Sequence, residues 1–299
     1  MNPTQEGTPA QNSEIAAVTR LLNEKLDEQN SSTQIEIPET AQIDYLFETS
    51  NKEGRGNQVE EFFSPASENY VGNLSHVAHK LAGHSYFSTW DFKHMEDVRE
   101  SLVEKMNAVD PSLEYWMTEY CILEDNEVIK GGGKDLGMAS ALYMARVIHS
   151  DLTVANASSW QWWTAISAYD YKDGLVYIDK DENNGEISDS KMLWVLGNYS
   201  RFIRPGMKRI SVDGQEDGDL NFSAYKSDDG QQLVFVIQNY NPIVYDFQLS
   251  VDGMEAYSLK AYLTSANSDD NLRLIDEGDT AESLALPGNS VMTVLLNLK

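Results

Sequence analysis

Apolar residues in the first two thirds of the chain follow two alternating rhythms. Ile15, Val18, Leu22 and Leu26 recur at helical spacing behind Asn12 or Ser13, either of which can cap a helix. Residues 34–38 then alternate in the manner of a strand and stop at Pro38. A second helix is predicted over about 67–81, followed by a short strand at 82–88. Met95, Val98, Leu102 and Met106 mark another amphipathic helix, and 114–121 reads as a buried strand. A helix at 136–148 and a strand at 157–165 complete the series. Strands separated by helices imply a parallel sheet with crossover connections, amounting to half of an eight-fold barrel.

Beyond Arg209 the rhythm changes. Strand-like runs at 210–212, 220–225, 233–238, 244–251, 258–264 and 291–298 follow one another without a helix of useful length. Turn signals divide them: Ser227-Asp228-Asp229-Gly230, Asp252-Gly253 and Pro287-Gly288. This pattern predicts an antiparallel β-sandwich. The fold expected is therefore α/β plus all-β. Residues 1–205 form part of a (β/α)8 TIM barrel, about strands 5–8, and 206–299 form a β-sandwich side domain.

Composition narrows the partners. With 48 acidic against 22 basic residues the formal net charge is −26, which repels phosphate backbones and anionic lipid. Nucleic acid and membrane are thus not expected as partners; the acidity fits a neutral substrate, and equally a charge that serves only solubility. Cys121 is the one cysteine, so no internal disulfide can form. No apolar run approaches the roughly 20 residues that span a bilayer. The first residues, Met1 to Gly7, show neither the basic nor the apolar region of a signal peptide.

The chemistry concentrates at predicted strand ends. Glu119 closes the run Glu114-Tyr115-Trp116-Met117-Thr118-Glu119-Tyr120-Cys121, and a carboxylate among aromatics at a barrel strand end is where glycosidases keep a nucleophile. Strand alternation places Tyr115, Met117, Glu119 and Cys121 on one face, with Trp116, Thr118 and Tyr120 on the other. His84, Tyr86 and Ser88 share a face of the preceding strand, and Trp160 and Trp162 one of the following strand. Aromatic rings stack on pyranose faces while polar groups bond the hydroxyls, so this set suits a sugar. The bland alternative is core tryptophans and a capped Glu119.

Other candidates carry less. Residues 179–190 resemble a calcium loop, but its glycine, Gly185, falls one place late and position twelve is Ser190. A solvated turn is expected there. His76 and His79 lack the glutamate of a zinc-protease helix. Gly131-Gly132-Gly133-Lys134 lacks P-loop spacing and reads as a mobile loop. Cys121 reads as a small packed hydrophobe. No metal and no cofactor is expected.

Longer motifs add a family. Trp160-Gln161-Trp162-Trp163, Gly174-Leu175-Val176-Tyr177 and the stretch from Leu196 through Arg204-Pro205-Gly206 resemble glycoside hydrolase family 30, nearest to its endo-β-1,6-galactanase-like members. Trp116-Met117-Thr118-Glu119-Tyr120 resembles the family's nucleophile strand. The resemblance implies a retaining enzyme on β-linked glycans such as β-1,6-galactan or β-1,6-glucan. Glu119 would be the nucleophile, with His84, Tyr86, Tyr120, Trp160 and Trp162 binding substrate. Full-length relatives of this kind are usually secreted or periplasmic.

One departure matters. The family's acid/base glutamate lies in an Asn-Glu-Pro motif on the fourth strand, and here Met1-Asn2-Pro3 lacks it. Glu6 and Glu39 fall near the site without matching that position. The resemblance thus implies a truncated barrel, inactive alone and able to self-associate through its open edge. A non-catalytic carbohydrate-binding or interaction protein is the alternative.

Overall fold

The computed structural model describes residues 9–49, 53–214, 219–251, 256–278 and 283–298. Met1-Asn2-Pro3, Glu6 and the Asp252-Gly253 turn lie outside the described residues. The chain divides into two units. One contains the described residues up to Tyr120 together with Ser150–Trp162; the other contains Cys121–His149 and the residues from Trp163 onward.

The first unit holds a four-stranded, wholly parallel sheet in sequential order, β1 (Glu39–Thr40), β2 (Lys80–His84), β3 (Glu114–Glu119) and β4 (Ser159–Trp160). Its helices are α1 (Asn12–Glu28), α2 (Asp44–Phe47), α3 (Gln58–Phe63) and α4 (Phe92–Val109). Asp91 caps α4 by accepting the His94 N–H at 2.8 Å. The buried stripe of α4 is Met95, Arg99, Leu102 and Met106. Val98, expected in that stripe, is only half-buried.

Three expectations need correction in this unit. No helix spans 67–81: Ser64, Pro65, Ser67, Asn69 and Gly72 fold into turns, with Asn69 N–H on Ser67 Oγ, and the helix lies earlier, at α3. Pro38 does not end the first strand but precedes β1, which pairs in register with Ala82 and Gly83. The face of α1 is shifted: of the expected stripe Ile15 and Leu26 are half-buried, but Val18 and Leu22 are exposed. Its buried residues are Asn12, Ala16, Thr19 and Asn23, whereas Val18 is 63%, Leu21 61% and Leu22 44% exposed. Asn12 donates to the Gly56 carbonyl and Asn23 accepts from the His76 N–H, so hydrogen bonds join the buried Ala16 in seating this helix.

The helix predicted at 136–148 is α5 (Met138–Thr153), whose residues fall in both units. In the second unit, β5 (Ile166–Ser167), β6 (Val176–Ile178) and β7 (Ile187–Asp189) form a small sheet, followed by α6 (Lys191–Ser200). Then come β8 (Lys208–Ile210), β9 (Leu220–Lys226), β10 (Gln232–Asn239), β11 (Tyr245–Phe247), β12 (Ala256–Thr264), β13 (Arg273–Gly278), β14 (Leu284–Leu286) and β15 (Ser290–Leu298). Six of them form one antiparallel sheet in the order β13-β12-β15-β10-β9-β8, and β11 pairs with β14. Leu233, Phe235 and Ile237 of β10 pack with Met292, Val294 and Leu296 of β15 and with Leu284 and Leu286. The other face of the same strands is buried too, and there the polar side chains are satisfied. Asn198 of α6 donates to Thr293 Oγ1 and accepts from Thr264 Oγ1. An α/β part followed by antiparallel β structure is thus what the alternating and then unbroken strand patterns produce.

Candidate active site

Parallel strands place their carboxyl ends along one edge, and three titratable side chains meet there. Glu39 begins β1, while His84 and Glu119 end β2 and β3 as register partners. His84 Nε2 lies 2.6 Å from Glu39 Oε1, and its Nδ1 stands 3.7 Å from Glu119 Oε1. The first contact is a hydrogen bond; the second is too long for one but short enough for charge to be felt. Tyr86 donates its hydroxyl to the same Glu119 oxygen at 3.0 Å. The Glu119 side chain is 32% exposed, so it is held and still reachable.

Glu39 is anchored harder than its exposure suggests. Burial raises its carboxyl, but hydrogen bonds from His84 and Thr118 and the charge of His84 outweigh that and hold it below the usual carboxylate range. Three residues earlier, the Glu36 carboxyl is pushed up, first by burial and then by Glu39, with Lys80 opposing. The two carboxyls, three residues apart in the chain, are thus shifted in opposite directions.

Strand alternation fails at the point that matters. The β2–β3 register slips between Gly83 and His84, so Gly83 pairs with Met117 while His84 pairs with Glu119. Thr118 then bonds Glu39 at 2.6 Å, and Glu119 joins the same group beside it. Thr118 and Glu119 are thus neighbours at the site, not on opposite faces. Tyr115 and Met117 of the same strand are fully buried.

The aromatics form a continuous run. His84 and Tyr86 meet edge to face with centroids 5.8 Å apart, Tyr86 and Tyr120 lie at 5.7 Å, and Tyr120 meets the edge of Trp162 at 5.8 Å. Trp162 stacks on Trp160 at 6.1 Å and 19°. Tyr120 has no exposed surface and its hydroxyl meets Thr89, so it supports the rings on either side and does not face a ligand. Ser88, expected beside His84 and Tyr86, is also buried and bonds the Ser85 carbonyl.

Behind the edge sits a buried ion pair absent from the sequence reading. Arg99 Nε donates to Asp151 at 2.7 Å with both side chains wholly enclosed. Asp151 also accepts from Ser85 at 3.0 Å and from the Trp160 indole at 2.9 Å. A buried charge is tolerated where its lone pairs are used this fully. Through the last bond the pair orients Trp160. Arg99 is the one cation in the buried stripe of α4, and an arginine at helical spacing from Met95, Leu102 and Met106 was the signal available for it.

The remaining motifs resolve as structure. Asp179 accepts the N–H groups of Asp181 and Glu186, and Asp181 those of Asn183 and Asn184, the bonds of a polar turn. The segment read as a mobile loop is tied down: Lys172 Nζ binds the Gly132 and Gly133 carbonyls, and Asp170 accepts the Lys134 N–H. His76 contacts Thr33 and Asp27, His79 contacts Ser112, and Cys121 is buried.

Comparison with known proteins follows the same lines. Residues 1–177 match the family model described as O-glycosyl hydrolase family 30. A glucuronoxylanase, XynC of Bacillus subtilis, is 24% identical over 189 residues, covering 56% of this chain and 40% of that protein. Among solved structures, a conserved exported protein from Bacteroides fragilis superposes with a TM-score of 0.86 at 32% identity, over 98% of this chain and 62% of that one. A family 30 endoxylanase from Clostridium papyrosolvens superposes at 0.68 with 18% identity, over 99% and 63%, a likeness of fold. The chain thus spans about two fifths of the curated relative and less than two thirds of either solved structure.

Proposed function

This chain belongs to O-glycosyl hydrolase family 30, and from that premise we propose that it carries the nucleophile side of a retaining glycosidase acting on β-linked glycans. The observation that carries the reading is Glu119, ionisable and reachable, receiving the Tyr86 hydroxyl at 3.0 Å with the His84 imidazole beside it. In this mechanism Glu119 attacks the anomeric carbon as the leaving oxygen takes a proton from a second carboxyl about 5–5.5 Å away, and water then releases the sugar. His84 and Tyr86 line the site, and Trp160 and Trp162 supply ring faces. The parallel sheet β1–β4 corresponds in this reading to strands 5–8 of a (β/α)8 barrel, with residues 206–299 as the β-sandwich side domain.

Glu39 is the carboxylate tied to this group, and it is unsuited to be the acid. Its hydrogen bonds favour the charged form, whereas a proton donor needs the neutral one. The second carboxyl of the reaction is therefore assigned to no described residue, and this chain by itself is expected to turn over no natural glycan. An activated 2-fluoro aryl glycoside needs no acid for its first step. Incubation with such a compound should label Glu119, read by peptide mass spectrometry, and Glu119→Gln should abolish the label. A label elsewhere, or none with any β-configured sugar, overturns the assignment.

The same geometry supports a second reading, a protein that holds a glycan without cleaving it. Glycan affinity that survives Glu119→Ala, without labelling of the parent protein, would favour it. β-1,6-Galactan and β-1,6-glucan remain the chains to test first, beside the glucuronoxylan that the name of the Bacillus relative indicates. The Bacteroides fragilis protein is described as exported, which supports an extracytoplasmic location here. The exposed apolar face of α1 supports self-association.

A further inference from the structure

We propose that a cleft on the far side of Tyr86 is a second glycan subsite, one that takes an uncharged stretch of chain beyond the sugar held at Glu119. It rests on the glycan-binding reading of that site. The cleft has a volume of about 290 Å³ and lies between α2, the first turns of α4 and residues 86–88. That is the small end of the range for ligand sites, suited to a sugar ring rather than a large cofactor. Tyr86 belongs to both places: its hydroxyl is on Glu119, and it is one of the residues that line the cleft. Tyr86 is thus the residue that links the Glu119 edge to the cleft.

The wall has the composition that recognises neutral sugars. Phe47 and Phe87 supply apolar faces, and Gln42, Asp44, Glu48 and Asp97 supply hydrogen-bonding groups for hydroxyls. Phe87, which lines the cleft, is 58% exposed, and Trp90 and Phe92 close to it in the chain are 49% and 38% exposed. Three large aromatics exposed within six residues of chain form a contact surface, not scattered surface hydrophobics. Phe87 takes the left-handed backbone region at φ 60°, which a bulky side chain rarely adopts. It meets Trp90 edge to face, and Trp90 in turn stacks on His94.

Charge decides which glycan. Neither lysine nor arginine lines the cleft, and three carboxylates do. Lys93, the neighbour of His94 in the chain, pairs with Asp97 of the cleft wall at 2.6 Å. A glucuronate side group would meet three carboxylates against the single imidazole of His94. The cleft therefore separates this protein from a binder of acid-decorated xylan, although the Bacillus relative is named a glucuronoxylanase.

Calorimetry on the Glu119→Gln variant tests this without requiring any chemistry. The probes are β-1,4-xylohexaose, a β-1,6-linked glucohexaose, a glucuronate-bearing xylohexaose and the disaccharides of both series. At least one neutral hexasaccharide should bind. Phe87→Ala should weaken it about tenfold, the scale of one lost aromatic anchor, while leaving the disaccharide unchanged. Phe87→Trp should restore the affinity. Unchanged hexasaccharide binding in Phe87→Ala, tighter binding of the glucuronate-bearing chain, or binding of neither neutral hexasaccharide overturns the subsite. Failure to label Glu119 in the parent protein overturns the nucleophile instead, and leaves this result standing.

Discussion

Oε1 of Glu39 receives two hydrogen bonds, from His84 Nε2 and from Thr118 Oγ1, each 2.6 Å long. The oxygen is therefore committed to its charged form despite partial burial, and the carboxyl lies below its ordinary range. A group depressed in this way contributes order above the ordinary carboxylate pKa, and the contribution is lost as pH falls through the lowered value. Thr118→Val removes one of the two donors and should raise the Glu39 pKa. Carboxyl carbon NMR of Glu39 across an acid titration measures it; a Glu39 pKa unmoved by Thr118→Val would contradict the network.

The Arg99–Asp151 pair makes a sharper demand on stability. Asp151→Ala leaves a guanidinium enclosed without its anion, a change that typically costs about 3–5 kcal/mol. Urea denaturation should show a loss of this order in Asp151→Ala and Arg99→Ala alike. The double replacement Arg99→Met with Asp151→Leu should recover much of it, because no charge is then left alone. Since Asp151 also holds the Trp160 indole, the double variant should still loosen Trp160. Weaker glycan binding at restored stability would report that.

These cases show where periodicity is informative and where it stops. The stripe of α4 and the strands β10 and β15 follow from apolar spacing, because burial there is a matter of area. Glu119 and His84 were legible as chemistry at strand ends. That Thr118 joins them was not, because the register slip beside His84 has no hydrophobic signature. Glu39 was visible as a nearby acid, but its ionised state depends on partners 45 and 79 positions away. The face of α1 misled for the opposite reason: Asn12 and Asn23 are buried by hydrogen bonds that a count of apolar positions ignores.

His149 gives the second unit an acid limit. Burial, and then the positive charge of Arg209, push its pKa down from 6.5 to about 4. The unfolded chain accordingly binds a proton that the folded one refuses between those values, so stability falls as pH drops from 6.5 toward 4. The full cost is about 3 kcal/mol. His149→Leu removes the titration. Denaturation at pH 7, 6, 5 and 4.5 should give a shallower acid slope in the variant than in the parent, and parallel slopes would refute the assignment.

The exposed apolar residues of α1 predict association. Val18, Leu21 and Leu22 present apolar surface to solvent on successive turns, while the opposite face is seated by Asn12 and Asn23. Apolar groups in this position gain about 25 cal/mol for each Å² they bury against another surface. Little is lost within the chain if they are made polar. Leu21→Glu combined with Val18→Lys should therefore change the unfolding midpoint by no more than about 0.5 kcal/mol in stability, as surface substitutions do. The same pair should shift sedimentation velocity profiles from larger species toward monomer. A parent protein that already sediments as a monomer at every concentration would show that this face stays uncovered, and self-association would have to be abandoned.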